Sequence, residues 1–178
     1  LFYASAGVKG VWHDGMTYST SPISGEELKA WMLAKLLWNP TLDEKTLETE
    51  FTDGYYPSPG KHIRAYLDVF EDSIATHGDW LNLSEMPSAK FLSIDALCKA
   101  WGYLELAENA VKDRPEYLKR VQLQQLSVRS AFVMNWNWLR DTSACRHIAW
   151  PMDESAEVER GRCVDAAGDF GITLSKLT

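Results

Sequence analysis

The chain has 178 residues, eight of them Trp, and a formal net charge of −7. That length suits one compact domain with a sizeable core and no need of disulfide or metal staples. The acidic balance, with no Lys/Arg run anywhere, excludes a nucleic-acid backbone as the main ligand, and no apolar stretch is long enough to cross a bilayer.

The sequence opens without Met and without a basic-then-apolar leader, as expected of a processed product or an excised piece. Its first fifteen residues place short apolar and aromatic runs between glycines, which predicts strands over Phe2–Ala4 and Val8–Trp12. Two strands alone do not make a stable sheet. This β-like piece is therefore expected to lie across helices or to belong to the sheet of a larger parent chain. The Ser-, Thr- and Pro-rich stretch 15–24 reads as a loop, with Ser24 capping the first long helix. In that helix Leu28, Trp31, Met32 and Leu36 form one stripe and Leu33 and Leu37 a second beside it. A helix apolar around most of its circumference is expected in the middle of a layered helical core.

Asn39-Pro40 stops this helix. Thr41 through Glu44 then reads as a capping box opening a second helix, which carries Leu47 and Phe51 inward and ends near Gly54. Ser58 as cap and Pro59 at the first position start a third, with Ile63, Tyr66, Leu67, Phe70 and Ile74 on one face and a stop at His77-Gly78. Ser88 opens a long helix running to the Arg114-Pro115 break. Another runs from about Glu116 to Arg140 with Leu118, Val121, Val128, Phe132, Trp136 and Leu139 inward. So short a turn between two long helices predicts antiparallel packing. A weaker last helix follows Met152-Asp153-Glu154 and ends near Gly168 or Gly171. The fold expected is mainly α: a helical bundle over residues 24–178, preceded by a small β-like strand and loop segment over residues 1–23.

Chemistry-bearing motifs are sparse. There is no Walker loop, GxGxxG or GxSxG, and no pair of histidines has the i, i+4 spacing of a zinc site, so neither a cofactor nor a metal is expected. Cys98 falls on an apolar stripe as a core thiol, whereas Cys145 and Cys163 could pair only in an oxidising compartment. Trp12, His13 and Asp14 stand at the end of an expected strand. His13 and Asp14 suit acid, base or hydrogen-bonding work on a sugar hydroxyl, with Trp12 stacking on the ring; the competing reading is a plain Asp14-Gly15 turn. Tyr55-Tyr56 offers either a binding ridge or an amphipathic core edge. Asn135-Trp136-Asn137-Trp138 leaves Trp138 as a surface indole suited to a glycan. The carboxylate pairs Glu48/Glu50, Asp68 with Glu71 or Asp72, and Asp153/Glu154 read as solvated helix faces rather than opposed acid and base groups. No catalytic residue is assigned.

Four segments, GVKGVWHDG at 7–15, LKAWMLAKLLWNPTLD at 28–43, FTDGYYPSPGKHIRAYLDVFED at 51–72 and AENAVKDRPEYLKRV at 107–121, carry a resemblance. Together they resemble an uncharacterised bacterial family of glycan-degrading systems, similar in layout to the α-glucuronidases. In such proteins a glycoside-hydrolase-like barrel is followed by a helical C-terminal region. The resemblance implies that residues 1–23 are the end of the barrel and that the catalytic carboxylates lie upstream. The helical part would then pack on that barrel or mediate dimerisation, as a non-catalytic region of a carbohydrate-acting protein at the periplasm or cell surface. The alternative is a helical-repeat-like scaffold for protein–protein interaction. A third class, a complete small enzyme using Trp12, His13 and Asp14, needs an activity of its own. An uncovered apolar patch would favour the first reading and a concave groove for a protein the second.

Overall fold

A computed structural model of the chain describes residues 2–11, 25–77, 90–152, 155–172 and 174. Its elements are α1 (Phe2–Ser5), α2 (Glu26–Trp38), α3 (Glu44–Tyr55), α4 (Gly60–His77), α5 (Ile94–Asn109), α6 (Pro115–Met134), α7 (Trp136–Arg146) and α8 (Ala156–Asp169). The mainly α helical bundle expected from the sequence is what forms, and no strand occurs among the described residues.

The first difference falls at the N-terminus. Phe2–Ala4, expected as a strand, lies in the one-turn helix α1, and Val8–Val11 is irregular. The cause is local. Gly7 takes the left-handed conformation at φ 72°, and the Val8 and Gly7 N–H groups donate back to the carbonyls of Tyr3 and Ala4. That pair of bonds is the glycine-terminated helix end, which a short apolar run before a glycine serves as well as it serves a strand.

The second difference is the position of α2. It carries no buried residue, so it is not the centre of the core. That place belongs to α5, where Leu97, Ala100, Leu104 and Ala107 are all completely buried. Ala100 and Ala107, with buried Ala96 beside them, let neighbouring helices approach closely. Against it pack Ile63, Tyr66 and Val69 of α4 and Val121, Val128 and Phe132 of α6, in one continuous cluster. The α5–α6 pair is antiparallel, as the short turn predicted. Glu108 meets Gln125 near the turn, and Trp101 meets Arg129 further along. A second, smaller cluster joins Leu126 and Val133 of α6 to Cys163 and Ala167 of α8 and to Leu174.

Helix boundaries shift for stated reasons. Asp43, not Thr41, caps α3: its carboxylate accepts from the N–H of Thr46 at 2.8 Å and from the Thr46 hydroxyl at 2.7 Å, and these bonds hold the carboxyl below its ordinary value. Thr41 instead bonds Asn39 Oδ1 through both its N–H and its hydroxyl. The α2 cap is Gly25, at φ 77°; Ser24, like Ser88, lies outside the described residues. Ser93 caps α5 and Ser155 caps α8. The Ser58 hydroxyl turns to the Ala110 carbonyl, while the Pro59 carbonyl accepts the first helical bond of α4 from Ile63. The helix expected to run unbroken to Arg140 divides at Asn135, whose side-chain amide donates to the Ala131 carbonyl at 3.0 Å. The Asn135 backbone, at φ −114° and ψ 21°, leaves the helical region while its own N–H still donates to that carbonyl at 3.2 Å, and the break lets Trp136 turn onto Trp150, ring centroids 5.0 Å apart.

At the crossing of α3 and α4, Gly60 lies against the backbone. A Cβ placed on it would sit 2.8 Å from the Thr52 carbonyl oxygen and 3.1 Å from Asp53 Oδ1. Gly to Ala inside a helix ordinarily stabilises by up to about 1 kcal/mol. Here the sign reverses, because a carbonyl cannot step aside as a flexible side chain can. Gly60→Ala is expected to lower stability by about 1–3 kcal/mol, read as a fall in the urea midpoint. A midpoint that rises would show that the two helices are free to separate.

Candidate functional site

Of the residues singled out in the sequence, Trp12, His13 and Asp14 lie outside the described residues. Tyr55 and Tyr56 end α3 and behave differently. Tyr56 is buried, 3% exposed, with its hydroxyl bonded to Gln124 and pushed well above the ordinary tyrosine range by burial. It is therefore a core residue. Tyr55 is half-buried and belongs to an aromatic band. Trp138 is 55% exposed on α7, which packs on α5 and α6, and it makes no ring contact with either tyrosine. The three residues do not form one site.

The band around Tyr55 crosses three helices. Trp31 of α2 meets Phe51 of α3 at 5.6 Å, and Phe51 stacks on Tyr55 at 5.0 Å. Cations extend the band at both ends. Lys35 Nζ lies 4.8 Å over Trp31, and the Arg120 guanidinium lies 4.2 Å over Tyr55 and 5.1 Å over Tyr117. Arg120 also donates to the Tyr55 carbonyl at 2.6 Å and pairs with Glu116. Tyr55 is the last residue of α3, so the guanidinium sits where the helix dipole is negative and a carbonyl lacks a helical donor. The periodicity of α6 marks 120 only as a partly exposed position. Nothing in the sequence places it beside residue 55.

This band ties α2, α3 and α6 together. The Tyr55 hydroxyl is raised above its ordinary value by burial and by Glu27. The cavity behind it, lined by Glu27, Phe51, Tyr56 and Gln124 among others, measures about 10 Å³, room for one water at most. Arg120→Ala removes the helix-end donor and the cation between two rings together. It is expected to cost about 2–3 kcal/mol in a denaturant titration. Arg120→Lys should recover little, since an ammonium cannot stack and donate in plane at once.

Of the carboxylates expected as solvated faces, Glu50, Asp68, Glu71 and Asp72 are exposed, whereas Glu48 is buried at 6% exposure and Asp153 and Glu154 lie outside the described residues. Lys45 gathers Glu48, Asp68 and Glu71 at 3.0, 3.1 and 2.8 Å, joining α3 to α4. Among the described residues no group of three His, Cys, Asp or Glu side chains could hold a metal ion. All three cysteines are free thiols. Cys163 is fully buried, and burial pushes it up to about 11. Half-buried Cys98 is likewise pushed up to about 11, first by burial and then by Asp95. Exposed Cys145 is not paired with Cys163. A thiol reagent at pH 8 is therefore expected to modify Cys145 at once, Cys98 slowly and Cys163 only on unfolding. Two equivalents reacting at the fast rate would contradict this burial.

The surface feature that the sequence pattern concealed is the outer face of α2. Trp38 is 92% exposed, Leu37 52% and Leu42, just beyond the helix, 37%. Trp31 and Phe51 secure one side of α2 to α3, Leu28, Met32, Leu33 and Leu36 are half-buried, and the uncovered apolar surface is that of Leu37 and Trp38. The described residues define a helical bundle in which the apolar helix α2 contributes no fully buried residue. Residues 1–68, from α1 into α4, match the family model described as Domain of unknown function (DUF4838). That similarity takes in α2, α3 and the Tyr55-Tyr56 pair. No curated protein and no solved structure matches the chain.

Proposed function

We propose that the chain is a non-catalytic helical region of a glycoside-hydrolase-like protein that acts on carbohydrate, and that α2 docks it on the barrel of that protein. The observation carrying this reading is that the most densely apolar helix has no buried residue. Monomeric domains rarely leave a contiguous Leu/Trp surface open, and covering Trp38, 92% exposed, would contribute about 2 kcal/mol or more and half-exposed Leu37 about 1 kcal/mol. Two further points support the occupant. The family-model similarity is confined to the part of the chain that contains α2, and the 7–15 and 28–43 segments resemble a last barrel strand and the helices after it. A periplasmic or cell-surface location accompanies this reading. Trp12, His13 and Asp14 are its candidates for sugar contact at the barrel side.

Two measurements test the proposal. The purified chain is expected to show no turnover of aryl glycosides, and measurable hydrolysis would overturn it. In hydrogen exchange, the amides of α2 are expected to exchange early in the isolated chain and to be protected in the longer polypeptide that carries the barrel. Equal exchange in the two would sink the docking role. Leu37→Ser with Trp38→Ser should remove the protection while leaving the isolated bundle's melting temperature unchanged.

A further inference from the structure

A second feature lies elsewhere, where α6 and α8 face each other across an open groove of about 390 Å³. On α6, Lys119, Gln122, Gln125 and Arg129 recur at intervals of three or four and so share one face. On α8, Arg162, Asp165 and Asp169 do the same. Two helices carrying opposite charges on facing stripes would ordinarily close into direct ion pairs. Here Lys119, Asp165 and Asp169 pair with no described residue. The two arginines instead converge on a carboxylate: Arg129 and Arg162 donate to the two oxygens of fully buried Glu159, at 2.6 and 2.7 Å. Gln125, only 7% exposed, donates to Glu108 Oε2 at 2.8 Å. Its carbonyl oxygen accepts from no described residue.

The lining excludes ligands one class at a time. It contains three acidic and three basic side chains, so it has no excess charge to hold a phosphate or a polyamine, and both arginines already serve Glu159. An apolar molecule would strand six charges and two amides out of water. A molecule dense in hydroxyls answers the pattern, because each hydroxyl both donates and accepts. Glu108, Asp165 and Asp169 supply acceptors, Lys119 a donor, and Gln122 and Gln125 both. Phe170 contributes an aromatic face for an apolar C–H surface. The volume falls in the range of small-molecule sites.

We propose that the α6–α8 groove binds a neutral saccharide of one or two rings. The proposal does not rest on the docking role of α2, which contributes nothing to the groove.

The test is a titration of the intact chain, followed by ¹⁵N–¹H NMR, with glucose, galactose, mannose, xylose and cellobiose, and with inorganic phosphate and spermidine as charged comparators. At least one sugar is expected to shift the Gln122 and Gln125 side-chain amides and the backbone around Asp165 and Phe170. Gln122→Ala, at a half-buried position, and Asp165→Ala, at an exposed one, should each weaken that sugar about tenfold while the chain stays folded. The proposal fails if no sugar shifts these signals at concentrations up to about 100 mM, in the weakest range of specific binding. It fails too if only phosphate or spermidine does, or if affinity survives both substitutions together. Loss of α2 protection in the docking experiment would leave it standing.

Discussion

Glu159→Ala is expected to destabilise the chain by about 3–5 kcal/mol. The Glu159 carboxylate is 1% exposed and holds one guanidinium on each oxygen. One of them, Arg129, is itself only 22% exposed in its side chain and lies over the Trp101 ring. Truncation leaves that mostly buried guanidinium with no counter-charge, and an uncompensated buried charge costs more than the intact pair contributes. Arg162 is half exposed, so Arg162→Ala should cost about 1 kcal/mol or less. Glu159 replaced together with Arg129 by apolar residues of similar volume should recover most of the loss. Urea unfolding of the three variants checks the ordering. A Glu159→Ala midpoint equal to that of Arg162→Ala would show that the buried carboxylate is not the anchor of α8.

Phe132→Ala comes next, with an expected cost of about 3–5 kcal/mol. Phe132 is fully buried and meets Trp150 edge to face at 5.5 Å. Trp150 is held by rings and by Arg140, whose guanidinium lies 5.6 Å over it. Its indole nitrogen is buried with no hydrogen-bond partner among the described residues. The cavity left by the phenyl ring therefore removes the main support of Trp150 and of the segment that follows α7. For a chain of this size the melting temperature should drop by roughly 6–20 °C, with loss of near-ultraviolet dichroism from the Trp136–Trp150 pair. Phe132→Leu, which fills most of the volume, should keep the pair and lose much less. A small drop for the alanine variant would mean that α7 closes over the gap.

Much of the helical layout was legible because its signals act within a few residues. Pro115 begins α6 at the break read from Arg114-Pro115, the Ile63/Tyr66 stripe of α4 is the buried one, and Phe132 is as central as its period implied. Caps were harder to place where several competent residues stand close together. Thr41 and Asp43 are both able to cap α3, and the choice turned on which could reach Thr46. The aromatic band shows the opposite limit. Tyr55 was visible as an amphipathic residue, but its partner Arg120 lies 65 positions away. No periodicity encodes which two faces meet. The α6–α8 groove was missed for the same reason, since Gln122 and Asp165 read singly as solvated helix surface.

By itself, then, the sequence determined that the chain coils into helices, where most of them stop and which stripe of each prefers an apolar neighbour, because those preferences are set by contacts no more than about four residues apart. Tertiary structure decided which stripes find that neighbour. It placed alanine-bearing α5 at the centre, where close approach is cheapest in volume, and left the Leu- and Trp-rich α2 outside with Trp38 uncovered. Hydrophobic density records how much surface a helix would rather bury; only the packing of the other helices determines whether that surface is covered.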